Sequence, residues 1–372
     1  MNELRSLTIA PADSAVGDGQ RDDSDAIQAA LDDAYRYRLV TRLPAQRTFL
    51  VSRQLRCVQE GRPAAMRQYG YQLIGAGAGA SRPTIRLANN ARNVSDSILL
   101  YFQLVISADE YPFKGSGPDP SSHYSALLRN VIIDMGDNSN VSAVSMTGAQ
   151  LCSIEDIRVY GQSFKAGVFG LPGSGGFSAN IEVEGGEIGI WQAQFRPNPS
   201  VTGLKLSNQS YAGVLLQVAR GPLVLSGFAI EGRGANYSAI RMGGNPGADA
   251  SLALEDGSLQ SSHTCIDNTR GTDISLKNVH FSGPVAVRAP EITIQGLGTT
   301  GRRRGTWGRL ERWSYSEVGS RLDIKGVDLS GDGKTPTAFP PHAALAPSAT
   351  PPLAELARPE QNPRPALCGA HS

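Results

Sequence analysis

The chain has 372 residues, and its 35 Lys and Arg nearly balance its 34 Asp and Glu. Balanced charge leaves no electrostatic footprint for nucleic acid or an anionic membrane surface, and no apolar run approaches the ~20 residues of a membrane span. Four widely spaced cysteines, Cys57, Cys152, Cys265 and Cys368, with no CxxC pair, argue against a zinc site and a dense disulfide framework.

Residues 1–40 read as an N-terminal segment with a capping helix. The opening MNELRSLTIAPADS lacks the apolar centre of a signal peptide, so the protein stays inside or this chain starts after a removed leader. After VGDGQRDD, Ser24 can cap a helix over about 24–37, with Ala26, Ile27, Ala30, Leu31 and Ala34 on one face. Such a helix can cover the open first coil of a stacked structure, whose strand edges need protection. LPAQRTFLVSRQL (43–55) alternates like a strand, and YQLIGAGAG (71–79) is a strand running into a Gly-rich corner. That corner has no Gly-Lys-Ser/Thr ending and is not a phosphate loop. PTIRLA (83–88) is a further short strand, and residues 107–126 form a polar insertion of the kind that shapes a binding cleft.

From Leu128 to Leu329 one phrase recurs nine times: LRNVII, IEDIRV, SANIEV, VTGLKL, LSGFAI, LEDGSL, LKNVHF, IQGLGT and IKGVDL. Its punctuating residues, from Asn130, Asp156, Asn180, Gly203, Gly227, Asp256 and Asn278 to Gly296 and Gly326, lie 18 to 30 residues apart, the period of a solenoid. A second ladder runs in step, a small residue followed by a β-branched one: Ala143-Val144, Gly167-Val168, Gly189-Ile190, Gly213-Val214, Ala239-Ile240, Cys265-Ile266 and Ala286-Val287. Period-2 alternation and corners of Asn, Asp or Gly, which tolerate left-handed backbone, predict short strands. The fold class is therefore all-β, a right-handed parallel β-helix over 41–331. GRRRGTWGRLERWSYSE breaks the period as a solvated basic face. Residues 332–372, rich in Pro and Ala, read as a disordered tail.

The stretch GDGQRDDSDAIQAAL with LPAQRTFLV and YQLIGAG, over residues 10–90, resembles the opening of the pectate-lyase-superfamily β-helix enzymes (the pectin-lyase-like fold), with Gln46 where those have Gly. LLRNVIIDMGDNSNVSAVSMTGAQLCSIEDIRV and GVFGLPGSGGFSANIEVEGGEIGIWQAQF, within 127–232, resemble glycoside hydrolase family 55, the β-1,3-glucanases. That resemblance implies that Gln150 and Ser174 are polar residues near the cleaved end of a glucan, that Gln194 lies close by, and that the protein is extracellular. Those enzymes resemble two β-helices side by side, with the acid-donating Glu on the second. This chain ends after one, so the resemblance implies that the counterpart is missing, replaced, or supplied as a second β-helix from another chain.

The repeat itself orders the side chains. With the residue after each corner facing inward, an outside row reads Asp134, Tyr160, Glu184, Ser207, Glu231, Gln260 and Ser282. Asp134 and Glu184 are two coils apart, ~10 Å, as are Glu184 and Glu231, close to the carboxylate spacing of inverting glycosidases. Phe169 and Trp191 follow the second ladder on successive coils and can stack on sugar rings. The expected function is polysaccharide hydrolysis by water attack, with Gln150, Ser174, Glu184 and Asp134 catalytic and Gln194, Trp191, Phe169 and Glu231 binding substrate, without metal or cofactor. Two alternatives stand beside it. One is a non-catalytic polysaccharide-binding or adhesive β-helix. The other is a lyase acting on a uronate polymer, whose cation Asp134, Asp137, Glu155 and Asp156 would hold.

Overall fold

Seven corner residues of the repeat adopt left-handed backbone: Asn130 (φ 58°), Asp156 (54°), Asn180 (52°), Gly203 (70°), Gly227 (65°), Asp256 (53°) and Asn278 (51°). In the computed structural model, which describes residues 6–8, 15–60, 70–92, 94, 97–106, 117–118, 124–192, 198–217, 221–232, 234–243, 250–290, 293–295, 308–315 and 325–328, most of these corners bend a strand part-way along. Asp156 lies within Ser153–Tyr160, Asn180 within Phe177–Glu184 and Gly203 within Ser200–Ser207. The corners also bond to one another along the stack. Asn180 Nδ2 donates to Asp156 Oδ1 at 2.9 Å, and Asn278 Nδ2 to Asp256 Oδ1 at 2.7 Å. A Cβ at Gly203 would lie 2.5 Å from Asn180 Oδ1, so that coil takes glycine.

The described residues form two large sheets. In the first, parallel strands stack from Val40–Leu43 through Gln72–Gly75, Leu127–Arg129 and the bent strands up to Asp273–Ser282. The second stacks Leu55–Glu60, Ile98–Ile106, Ser142–Met146, Ala166–Phe169, Ile188–Gln192 and Ala212–Leu216, and continues to Val285–Arg288. The chain thus alternates between sheets coil by coil as a right-handed parallel β-helix.

Between the sheets lies one continuous core. Val144, Val168, Ile190, Val214, Ile240 and Ile266 form an unbroken register in sheet two and are fully buried. They share the core with Ile133, Val159, Val183, Leu206 and Leu259 of sheet one. The small residue of the second ladder now has a cause. A Cβ on Gly167 would come 2.6 Å from the Val183 methyls, and one on Gly213 only 2.2 Å from Ile230 Cγ2. Cys57, Cys152 and Cys265 are buried in this core and form no disulfide among the described residues; Cys368 lies outside the described residues.

The helix α1 spans Ser24–Tyr37 and buries Ile27, Leu31 and Ala34 against the first strands. Its cap differs from expectation. Asp23, not Ser24, is the N-cap, and the Asp23 carboxylate turns back to accept from Val16 N at 2.7 Å and Gly17 N at 3.1 Å. Ser24 instead ties Asp22 to Ser52, accepting from Ser52 N at 2.9 Å. The Gly-Asp-Gly motif is therefore a structural junction.

The last two copies of the repeat do not add parallel coils. Thr293–Gln295 pairs antiparallel with Val285–Arg288, and Lys325–Asp328 pairs antiparallel with Gly308–Tyr315, which itself runs antiparallel to Asp273–Ser282. The basic segment thus supplies a strand that covers the end of the stack. The proposed tail, 332–372, lies outside the described residues.

Candidate functional site

The outside row of sheet one is in register from Arg86 through Asp134, Tyr160, Glu184, Ser207, Glu231 and Gln260 to Ser282. Asp134 and Glu184 in this row are engaged. Arg86 Nε donates to Asp134 Oδ2 at 2.9 Å and Gly136 N to Asp134 Oδ1 at 3.1 Å. Arg158, from the neighbouring outward row, reaches across to place Nη2 2.9 Å from Glu184 Oε2, and Lys205 binds Glu182 at 2.9 Å. Tyr160 stands between Asp134 and Glu184; burial and then the Asp134 charge push its phenol above the ordinary range. Glu231 is exposed, whereas Ser207 and Ser282 are covered.

Gln150 and Ser174 come together. They occupy turns of adjacent coils between sheet two and sheet one, where a Cβ on Gly175 would sit 3.4 Å from Gln150 Cγ. These turns use left-handed backbone at Ser125, Leu151, Ser174 and Asn198 (φ 51–61°). Leu151, 74% exposed, and Phe177, 47% exposed, border this pair. Glu184 does not join it. Ser174 precedes the strand Phe177–Glu184, and Glu184 ends that strand beyond the Asn180 corner, several residues at about 3.3 Å each away. The expected constellation of Gln150, Ser174, Glu184 and Asp134 is thus two separate places on the coil. Gln194 lies outside the described residues. Among the described residues no three members of the lyase reading's acidic set gather as a metal site; Asp134 is held by Arg86, Asp137 accepts from Ser163, and Glu155 and Asp156 both lie beside Arg129.

The outer face of sheet two gathers the aromatic residues. Tyr101, Ser145, Phe169, Trp191, Leu215, Arg241 and Asp267 occupy one register position on successive coils. Phe169 and Trp191 meet edge to face, ring centroids 5.0 Å apart and planes at 89°. The indole packs over Ala166, Ile188, Ala212 and Leu215, and its Nε1 donates to Gln217 Oε1 at 2.8 Å. Phe169 leans the other way onto Val58, Ile98 and Tyr101. Between those aromatics the small Ser145 is wholly buried.

Charged groups frame the rings as pairs. Lys165 Nζ lies 5.6 Å from the Trp191 ring centroid and 2.7 Å from both carboxylate oxygens of Glu187. Arg241 places its guanidinium carbon 4.2 Å from the Tyr211 centroid, donates to Asn236 O at 2.8 Å and lies 3.9 Å from Asp267 Oδ2. The sequence pointed to Phe169 and Trp191 but missed Tyr101, Tyr211, Gln217 and both pairs. Extending the second ladder back to Ile98–Ile106 would have found Tyr101. Gln217 and Tyr211 flank the strand Ala212–Leu216 without any repeated spacing.

A family model described as rhamnogalacturonase A/epimerase, pectate lyase-like, matches residues 13–241. The chain belongs to that family. The match spans α1, the Gly-Asp-Gly junction and every ring of the aromatic face. No curated protein sequence matches the chain. Among solved structures it is similar to the tailspike protein of Acinetobacter phage vB_ApiP_P1, with 13% identity and TM-score 0.45, covering 78% of this chain. The chain spans about half, 56%, of that tailspike. It is also similar to the Azotobacter vinelandii mannuronan C-5 epimerase AlgE4 A-module (16% identity, TM-score 0.39, 79% of this chain and 100% of that one). A third is PfbA, a surface adhesin of Streptococcus pneumoniae (13% identity, TM-score 0.27, 84% of this chain and 100% of that one).

Proposed function

We propose that this pectate lyase-like protein binds a polysaccharide along the outer face of sheet two. The observation that carries the reading is the half-buried rings of Phe169, Trp191 and Tyr211, with Tyr101 buried against Phe169 and Trp191 locked by Gln217. Aromatic faces take the C–H faces of sugar rings, and a ring held in place costs little ordering on binding. Coils stack about 4.8 Å apart, so rings on adjacent coils match neighbouring parts of one sugar chain. The family's description, a polysaccharide-degrading or epimerising group, supports the same class of partner.

A second reading, hydrolysis of a β-1,3-glucan as the resemblance to glycoside hydrolase family 55 implies, rests on the register of Asp134, Tyr160 and Glu184. Two coils separate the carboxylates by about 10 Å, at the upper edge of the inverting range. One would protonate the leaving oxygen while the other activates water. Both, however, already hold arginine partners, which leaves binding as the better-supported role. Gln150 and Ser174 belong to neither set and would border the sugar chain where it passes the turn between the sheets.

Titration with laminarin and with polygalacturonate, read by calorimetry and by product release, separates the readings. Binding lost in Trp191→Ala supports the first. Reducing ends released from laminarin and abolished by Glu184→Gln would replace it with the second.

A further inference from the structure

Arg241 and Asp267 stand on the row of the rings, one and two coils beyond Leu215. They face one another without a hydrogen bond. The nearest approach, Arg241 Nε to Asp267 Oδ2, is 3.9 Å, beyond hydrogen-bond reach. Arg241 Nε and Asp267 Oδ1 are both covered, yet neither has a hydrogen-bond partner. The guanidinium takes its position from elsewhere, 4.2 Å from the Tyr211 centroid with Nη2 donating to Asn236 O at 2.8 Å. Asp267 is therefore not needed to place it. Arg288 holds the next position of the row, so Asp267 stands between two arginines. A covered polar group without a partner costs free energy, more so when charged, and calls for a ligand or water to complete its bonding. Both side chains keep an open edge, 23% and 18% exposed. A hydroxyl accepts and donates at once, so one placed about 2.8 Å from each group bridges a 3.9 Å gap.

We propose that Arg241 and Asp267 form a hydroxyl-binding subsite at the end of the aromatic face, where one sugar hydroxyl accepts from the guanidinium and donates to the carboxylate. The proposal rests on the binding role given above. It adds the residues that orient the sugar, since ring faces supply contact area and a few placed polar groups fix orientation. The subsite lies two coils from Trp191, about 10 Å along the stack, so a chain lying on the indole reaches it with a later sugar unit.

The test titrates the full chain, Asp267→Asn, Asp267→Ala and Trp191→Ala with laminarin and with polygalacturonate, by calorimetry at high salt, where long-range charge effects are screened. For the polymer that the wild type binds, Asp267→Asn should lose about fivefold in affinity and Asp267→Ala about tenfold or more, because hydrogen bonds to a charged group are the stronger kind. Both variants should keep the wild-type Tm, since the free protein gives Asp267 Oδ1 no hydrogen bond to lose. A purely structural pair predicts the reverse, a lower Tm with unchanged affinity, and that result would overturn the proposal. So would wild-type affinity in Asp267→Ala beside a loss in Trp191→Ala. Full binding by Trp191→Ala, or binding of neither polymer by the wild type, would instead sink the binding role of the face and the subsite with it.

Discussion

Phe169 and Trp191 hold the same register position on neighbouring coils and meet edge to face at 5.0 Å. Trp191 is braced on its far side by Gln217, so removing Phe169 loosens one of two supports. Phe169→Ala should therefore weaken polysaccharide binding by about 1 kcal/mol, roughly fivefold, by the usual worth of such a contact. Calorimetric titration checks it, with circular dichroism to confirm that the β-helix is retained.

The small-residue ladder makes a packing prediction. Gly213→Ala drives a methyl to within 2.2 Å of Ile230 Cγ2 and 2.7 Å of the Ala239 carbonyl, both inside the core. Overpacking of this kind costs about 1–3 kcal/mol. Urea unfolding should show a lower midpoint with an unchanged slope.

Gln46 occupies a left-handed position, φ 58°, where the resembling enzymes have glycine. A side chain there costs about 1–2 kcal/mol of backbone strain, partly offset by the extra freedom glycine gives the unfolded chain. Gln46→Gly should stabilise the protein, by about 1 kcal/mol, and raise Tm in thermal unfolding.

Asp22 links α1 to the first coil. Burial works against its charged form, yet hydrogen bonds from the Ser24 and Ser52 hydroxyls and the Ser24 N–H outweigh it and hold the carboxyl below its ordinary 3.8. A folded value below the unfolded one contributes stability above about pH 4, lost as pH falls through the folded value. Tm of the wild type should therefore fall more steeply below pH 4 than that of Asp22→Asn. Parallel profiles would show that Asp22 carries none of the acid sensitivity.

The scaffold was legible because its constraints repeat. A corner needing left-handed backbone selects Asn, Asp or Gly on every coil, and a Gly213-type contact selects a small residue before each buried Val or Ile. The same regularity misled at the end, where IQGLGT and IKGVDL carry the phrase but their strands pair antiparallel. Register also predicted the row from Asp134 to Ser282. What it did not convey was pairing between rows: Arg158 lies in the adjacent row and still reaches Glu184. Gln150 and Ser174 share neighbouring turns, but the Asn180 corner sends Glu184 to a different place on the coil. Gln217 bonds an indole 26 residues away, a spacing no pattern in the chain repeats.

The most direct test is polysaccharide binding by Trp191→Ala beside Lys205→Gln, which alters an exposed ion pair on sheet one. If the outer face of sheet two holds the sugar chain, Trp191→Ala should lose about tenfold or more in affinity, 1.4 kcal/mol, while Lys205→Gln binds like the wild type. Equal binding by Trp191→Ala and the wild type would contradict it.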